Sequence, residues 1–536
     1  MIEEIIFSKV GFPVASVDGI PINSIYDPIK EAERFVESKN LGQDFSIILL
    51  INPGLCYLVP PLRKLLPRAR IIALHCSSYF KNQIEHTANS LTLGIFKPDS
   101  QWSYSDEINV NTFLENELDD FEAGTTKLIE WRPATKAYGM IALKLIDSIL
   151  DYLRSANANA MTSEKFGKRW IRNTIRFTHS YIGPKQYLKR SSKPIVVAAS
   201  GPSLEDFIQD FHNHTNRDQY VLLALSSAVE SLLGWDIIPD IIVATDGGNW
   251  AKFHLFEAVR RKIPLVVNPV GALPSQYYDL PLFVISDGTC WQQAITQNII
   301  SPVLIAPQRG TVAATAIDLA LYLTSEEIFI TGLDLGVRNG HSHARPNALD
   351  RFYHKSENRI QPSVTGDYQR YLDNKHTASL DIYAKWFSNK CKTYGKRLIV
   401  LGKPSQALAE LTSVERLLFN KIYDSTNLIN ILSGYSYESE KYHVHKKKNI
   451  YNNNVMLINR IKDECSMDIL DIKKIRDGVC GELLPLIAPD LYRLLLIRCR
   501  LRRAAGKELI IRILKIVREE LLKSEMDLLD KESSHG

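Results

Sequence analysis

Two histidines, an arginine and a run of small polar residues carry the chemistry legible in this chain. His343, within Gly340-His341-Ser342-His343-Ala344, and His376, within Asn374-Lys375-His376-Thr377, each bring an imidazole. With a free pKa near ~6.5, such a ring can take a proton from a hydroxyl at neutral pH. Arg309, followed by Gly310 and Thr311, offers a guanidinium and turn amides, the groups that stabilise charge developing on a phosphate oxygen. A loop-orienting hydrogen bond is the competing role for any one histidine, His341 included, and a surface ion pair is the competing role for Arg309.

The run Ile195-Val196-Val197-Ala198-Ala199 passes without a gap into Ser200-Gly201-Pro202-Ser203-Leu204. Its β-branched and small residues suit a strand buried on both faces, and Gly201 allows an amide to approach an anion closely. Ser203 suits an N-cap, and Glu205 and Asp206 fill the first helical turn, where acids are favoured. The corner reads as a phosphate cradle. Taken alone, it is also the strand-turn-helix corner of any α/β protein.

The elements that must position these groups alternate. Between about Pro194 and Pro404, strands are expected at 195–199, 220–225, 241–245, 264–267, 282–285, 303–305, 327–331 and 397–401, with helices between several of them. Such alternation predicts an α/β fold with a doubly wound, mainly parallel sheet, whose ligands bind beyond the carboxyl ends of the strands. The residues there are Ser200 to Ser203, Ser226 and Ser227, Asp246-Gly247-Gly248-Asn249, Asn268, Ser286-Asp287, and Gly332-Leu333-Asp334, mostly small or polar.

An earlier α/β unit has a strand at Phe45–Ile51, a turn at Asn52-Pro53-Gly54, a helix at Val59–Leu66 and a strand at Arg70–Leu74. It resembles half a Rossmann unit, yet lacks the G-x-G-x-x-G set and an acid after its second strand, so a structural or partner-docking role is expected. The region 135–187 is helical, with Ala142, Leu145, Ile146, Ile149 and Leu153 at three-and-four spacing. After about Glu410 the chain reads as helical, with a polar break at Tyr435–Asn454, a last long helix at Ala504–Leu529 and a tail from Lys531. The expected domains are 1–134, 135–190, 191–408 and 409–536. Neither internal repeats nor low-complexity tracts stand out.

Composition narrows the classes. The 65 basic and 60 acidic residues leave a net charge of +5, too mild to argue for nucleic acid. Seven scattered cysteines without a CxxC pair suggest neither a disulfide framework nor a zinc site, and point to a reducing cytoplasm. Met1-Ile2-Glu3-Glu4 lacks the basic start of a signal peptide, and no apolar run approaches the ~18–20 residues of a membrane span, so a soluble cytoplasmic protein is expected.

Five motifs in order, SGPSL at 200–204, IPDIIVATD at 238–246, RGTVA at 309–313, EEIFITGLDLG at 326–336 and NGHSHARP at 339–346, resemble the motility-associated factor (Maf) family of flagellin glycosyltransferases. That family shares a domain with 6-hydroxymethylpterin diphosphokinase MptE-like proteins, and the order of elements is similar to the bacterial sialyltransferases that use CMP-activated sugars. The resemblance implies a central GT-A/Rossmann-like sheet, an amino-terminal divergent Rossmann-like domain and a carboxy-terminal helical domain. It also implies that Ser200, Gly201, Pro202 and Ser203 hold the CMP phosphate and ribose, that Ser226 and Asp246 contact the nucleotide, and that Arg309, Gly310 and Thr311 lie near the donor phosphate or sugar. His343 matches the histidine-bearing loop of the Maf pattern. His376 aligns with the sialyltransferase base through the helix from Asp381-Ile382, and is the rival base. Asp334 joins the binding set, its expected part being to hold its loop by accepting backbone hydrogen bonds, with metal ligation the alternative. Where relatives place an aromatic after that Asp, this chain has Leu335-Gly336-Val337, so protonation of a leaving phosphate falls to another group, such as His343, or the site is impaired.

The activity so implied is inverting transfer of a nonulosonic acid, of the pseudaminic or legionaminic type, from its CMP conjugate to Ser or Thr hydroxyls of flagellin. The CMP-sugar is the co-substrate; no cofactor is required, and magnesium is not indicated. Flagellin is the protein partner, with acceptor docking expected on the flanking domains. Two alternatives stand beside it. One is an ATP- and magnesium-dependent pterin diphosphokinase-like enzyme, for which Asp246 and Asp334 would hold metal although no Walker lysine motif or acidic pair accompanies them. The other is a non-catalytic flagellin-binding accessory protein.

Overall fold

The computed structural model describes residues 1–536 except 43–44, 88–95, 182–187, 189, 212–216, 281, 301, 303, 307–310, 339–340, 351–357, 361–382, 385–386, 389–396, 416, 418–438, 467–477, 498–507, 509–510, 514, 517–518 and 520–536. Two units form: Met1–Lys165 with Lys462–Leu509, and Phe166–Ile461 with Ile510–Gly536.

The first unit opens on an antiparallel ribbon, β1 (Glu3–Phe7), β2 (Pro13–Val17) and β3 (Ile20–Pro21), followed by α1 (Pro28–Ser38). Then come β4 (Ile47–Ile51), α2 (Val59–Leu65), β5 (Arg70–His75), α3 (Ser78–Thr87), β6 (Ser100–Ser103), α4 (Val110–Glu117), β7 (Thr126–Glu130) and α5 (Arg132–Tyr138). The strands pair in parallel in the order β6-β5-β4-β7. The expected strand-helix-strand unit is therefore present. The strands that complete it, β6 (SQWS) and β7 (TKLIE), are only partly buried and carry no continuous apolar run that a sequence reading could catch.

The ribbon is seated on the carboxyl edge of this sheet. Gly54 follows β4 in a left-handed conformation, φ +60°, and a Cβ there would lie 3.0 Å from the Ile22 side chain. After β5, the Ser77 hydroxyl donates to Glu3 at 2.5 Å, and Tyr138 donates to the other Glu3 oxygen at 2.6 Å. Trp131, after β7, donates its indole N–H to the Ile22 carbonyl at 2.6 Å. The ground where a dinucleotide would lie in a Rossmann unit is thus occupied by the chain's own amino-terminal residues.

Helix α6 spans Met140–Ser180, beginning after Gly139, whose φ of +56° ends α5. The second unit then lays down β8 (Ile195–Ala198), α7 (Leu204–Phe211), β9 (Val221–Leu225), α8 (Val229–Leu233), β10 (Ile241–Ala244), α9 (Phe256–Arg260), β11 (Leu265–Val267), β12 (Leu282–Ser286), α10 (Cys290–Thr296), β13 (Leu304–Ile305), α11 (Val312–Leu323), β14 (Ile328–Thr331), β15 (Leu398–Leu401) and β16 (Thr412–Val414). All pair in parallel in one nine-stranded sheet, β13-β12-β11-β10-β9-β8-β14-β15-β16. Every predicted strand of the central region is observed; β16, with two of its three residues exposed, is the addition.

Burial on both faces explains why those strands read as unbroken apolar runs. Ile195, Val197, Leu223, Val243 and Ile330 pack with α11 on one face. Val196, Ala198, Leu222 and Ala224 pack with Leu204, Phe207 and Ile208 of α7 and Leu232 of α8 on the other. Helix α11 is apolar nearly all round because it crosses beneath several strands, carrying the chain from the β13 edge back to insert β14 beside β8.

Beyond the sheet, α12 (Ser439–Ser466) runs through the stretch expected to be a polar break. Its polar residues have work to do: buried Asn453 donates to the carbonyls of Ile295 at 3.0 Å and Gln297 at 2.6 Å, satisfying the carboxyl end of α10. In the first unit, α13 (Val479–Ile487) and α14 (Pro489–Ile497) follow, with Tyr492 donating to Asp119 at 2.7 Å. Most of the predicted helix 504–529 and the tail lie outside the described residues. Among the described residues no helix is long and apolar enough to cross a membrane.

Candidate functional site

The winding of the large sheet reverses between β8 and β14, and such a switch point is where α/β sheets bind ligands. Its two loops are interlocked. Gly332 leaves β14 at φ +69°, and a Cβ there would meet the Ala199 carbonyl oxygen at 2.1 Å. A Cβ on Gly201 would lie 2.2 Å from Asp334 Oδ2 and 2.6 Å from the Gly332 oxygen, so both positions need glycine for close approach of one loop to the other.

The amides of the SGPSL turn are largely committed. Gly201 donates to the Gly332 oxygen at 2.7 Å, Leu204 to Gly201 at 3.0 Å, and Pro202 has no N–H. Ser203 gives both its amide, at 2.9 Å, and its hydroxyl, at 3.0 Å, to Asp334 Oδ2. The anion at the start of α7 is therefore the carboxylate of Asp334, in the loop-holding part expected of it. Among the described residues, this turn leaves hydroxyls open to a ligand: Ser200 Oγ accepts from Ser227 Oγ at 2.8 Å across the ends of β8 and β9, next to buried Ser226.

After β10, the Asp246 carboxylate accepts from Gly248 N at 2.7 Å, closing a turn on itself, and the Asp246 carbonyl accepts from Ala272 N at 2.9 Å. Asn173 of α6 braces this turn by donating to the Gly247 carbonyl at 3.2 Å and the Val270 carbonyl at 2.8 Å. After β11 and β12, Gln292 ties the edge together, donating to Asn268 at 2.7 Å and accepting from Ser286 at 2.8 Å.

His343 arrives on a loop stitched to the same edge. Ala344 N donates to the Ser200 carbonyl at 2.8 Å, Arg345 N to Glu205 at 3.0 Å, and Ser231 to the carbonyls of Ala344 and Pro346 at 3.1 and 2.8 Å. Arg338 pairs with Asp206 at 2.6 Å. The His343 ring is exposed, its Nδ1 paired with the Ser342 hydroxyl at 3.0 Å, and among the described residues Nε2 has no hydrogen-bond partner. Desolvation by the surrounding protein shifts its pKa downward from the ordinary imidazole value, partly offset by the Asp350 charge.

Thr311 caps α11, its hydroxyl accepting from Ala314 N at 3.1 Å. Arg309, Gly310 and His376 lie outside the described residues. The structure thus gathers Ser200, Gly201, Pro202, Ser203, Ser226, Asp246, Asp334 and His343 along the carboxyl edge of four neighbouring strands.

Two further residues belong to this edge. His254 sits in the turn Ala251–Leu255, which packs on the turn Ser226–Ala228. It is buried and, among the described residues, its Nδ1 has no partner; burial first, then the nearby His343 charge, pushes its pKa down to about 4, with Asp246 opposing. Tyr383 is pushed up, by burial and by the Asp246 charge. Nothing in the local sequence marks His254. Tyr383 does have a signal: it directly follows the Asp381-Ile382 pair used to align His376.

Residues 168–340 match the family described as 6-hydroxymethylpterin diphosphokinase MptE-like. Two uncharacterized proteins of Treponema pallidum (strain Nichols) are similar: one is 28% identical over 281 residues, 52% of this chain and 60% of the relative, and the other is 25% identical over 285 residues, 51% of this chain and 44% of the relative. The matched part of this chain therefore spans about half the length of those relatives. Among solved structures, the Maf glycosyltransferase of Magnetospirillum magneticum AMB-1 superposes with a TM-score of 0.56 at 12% identity, covering 98% of this chain and 92% of that one. The resemblance drawn from the five motifs holds in the fold.

Proposed function

We propose that this chain, with its MptE-like region and the fold of a Maf glycosyltransferase, is a Maf-type transferase that moves a nonulosonic acid from a CMP conjugate to Ser or Thr hydroxyls of flagellin. The observation that carries the reading is the meeting of the Ser200 turn with the loop of His343 at the switch point of the nine-stranded sheet, through the bond from Ala344 N to the Ser200 carbonyl.

In the proposed reaction the acceptor hydroxyl attacks the anomeric carbon, its proton passing to Nε2 of His343. The bond between that carbon and the phosphate oxygen breaks with its electron pair leaving on CMP. The transition state has oxocarbenium character because the ring oxygen shares the charge. A lowered pKa keeps His343 in the proton-accepting form, and the serine hydroxyls of Ser200 and Ser227 are suited to hydrogen-bond the departing phosphate. Tyr383, whose pKa is raised by burial and by the charge of Asp246, is the proposed substitute for the aromatic that Leu335-Gly336-Val337 lacks. Leu335 itself takes φ +50°, a strained angle for leucine.

Intact-mass spectrometry of flagellin incubated with the chain and a CMP-activated nonulosonic acid tests the reading. A mass increase of one sugar per modified site is expected; unchanged flagellin, with the donor stable, contradicts it.

A further inference from the structure

Behind the His343 loop, the second unit holds a cleft of about 590 Å³ between α7, α8 and the 345–350 turn. Glu205, Glu230, Trp235, Arg345, Asn347 and Asp350 line it. Three carboxylates stand against one guanidinium, and that guanidinium is already paired, Arg345 Nε lying 3.5 Å from Glu205 Oε1. The lining is net acidic, and the Trp235 indole is 52% exposed at its side.

Asn347 lines the same cleft. It is 6% exposed; its Oδ1 accepts from Leu349 N at 3.0 Å, its own N–H donates to Asp350 at 3.2 Å, and among the described residues its Nδ2 has no hydrogen-bond partner. A buried amide donor left unsatisfied costs roughly the free energy of a lost hydrogen bond, which an acceptor atom reaching Nδ2 would recover.

We propose that this cleft takes a lysine or arginine side chain of the acceptor polypeptide, with a neighbouring peptide carbonyl accepting from Asn347 Nδ2. The inference rests on the transferase reading for the identity of the acceptor. A cation there gains the carboxylates and the face of an indole together, and a backbone carbonyl meets the orphaned donor. Asn347 lies four residues from His343, at most ~14 Å of extended chain, so the basic side chain sits within about four positions of the modified hydroxyl. Acceptor choice would then be read in the catalytic unit itself as well as on the flanking regions.

The test uses the full chain and two synthetic peptides, each with one serine and, four residues away, either lysine or norleucine. Calorimetry measures their binding, and CMP binding is measured on the same samples. The lysine peptide is expected to bind about tenfold more tightly, with Trp235→Ala and Glu205→Gln each cutting that preference to threefold or less, and with CMP affinity unchanged in Trp235→Ala. Equal binding of the two peptides, binding of neither, or a lysine preference that survives both variants overturns the proposal. The peptide-side change needs no variant to fold. Absence of CMP binding by the unaltered chain would instead count against the transferase reading, whatever the peptides do.

Discussion

Asp334 accepts two hydrogen bonds from a single residue, Ser203, its Oδ2 lying 2.9 Å from the amide and 3.0 Å from the hydroxyl. The loop after β14 thereby plugs its own carboxylate into the start of α7, and the switch point is organised before any ligand arrives. Preorganisation of this kind fixes Ser200 and the His343 loop in place.

Asp334→Ala leaves the Ser203 amide without its partner at a part-buried position. A loss of about 1–3 kcal/mol is expected, since an orphaned donor costs its desolvation penalty. Chemical denaturation followed by far-UV circular dichroism measures it; an unchanged midpoint would show that the contact contributes nothing.

Gly201→Ala is expected to cost about 1–3 kcal/mol, because its Cβ would sit 2.2 Å from Asp334 Oδ2 and 2.6 Å from the Gly332 oxygen. Combined with Asp334→Ala, the loss should be less than the sum of the two, since the nearer clash disappears while the backbone clash remains. Strict additivity in the double variant would refute this origin for the glycine.

His343→Ala should lower turnover by roughly 10²–10⁴-fold while leaving CMP affinity nearly unchanged. The pH dependence has a definite sign. A base acts when neutral, and a pKa held below ~6.5 puts the acid limb of the rate below that value, with full activity above it. A limb centred above pH 7, or equal loss of binding and turnover, would take the base role from His343.

Acid should destabilise both units. His75 in the first and His254 in the second are buried with pKa values pushed down to about 4, in both cases chiefly by burial. Their folded values lie below the unfolded one, so above ~6.5 neither state is protonated and stability is complete. As pH falls from there toward 4 the unfolded state binds the extra proton and stability is lost, by at most ~1.4 kcal/mol per pH unit for each ring. Denaturant midpoints across pH 4–7 check this, and His254→Leu should flatten the second unit's slope.

Much of this was readable in advance, for a physical reason. A parallel strand buried on both faces, such as VLLAL at 221–225, has to be apolar throughout, and its end has to be the next small or polar residue, here Ser226. What could not be read is which ends become neighbours. The insertion of β14 beside β8 is a long-range event, and it turns Gly201 from a residue free to approach an anion into one pressed against Asp334. Likewise, the polar residues of α12 suggested a break because their partners, the carbonyls of Ile295 and Gln297, lie more than 150 positions away. His254 has no local signature at all; only the packing of its turn on Ser226–Ala228 brings it to the edge.

Ligand-induced stabilisation tests the CMP donor directly, through melting curves of the full chain with CMP, ADP and ATP, each with and without magnesium. A ligand at about a hundred times its dissociation constant stabilises the state that binds it by ~2.7 kcal/mol. CMP is expected to raise the melting temperature without magnesium, and ADP and ATP to do little. Stabilisation by ATP that depends on magnesium, with none from CMP, would contradict that expectation and favour phosphoryl transfer of the diphosphokinase kind.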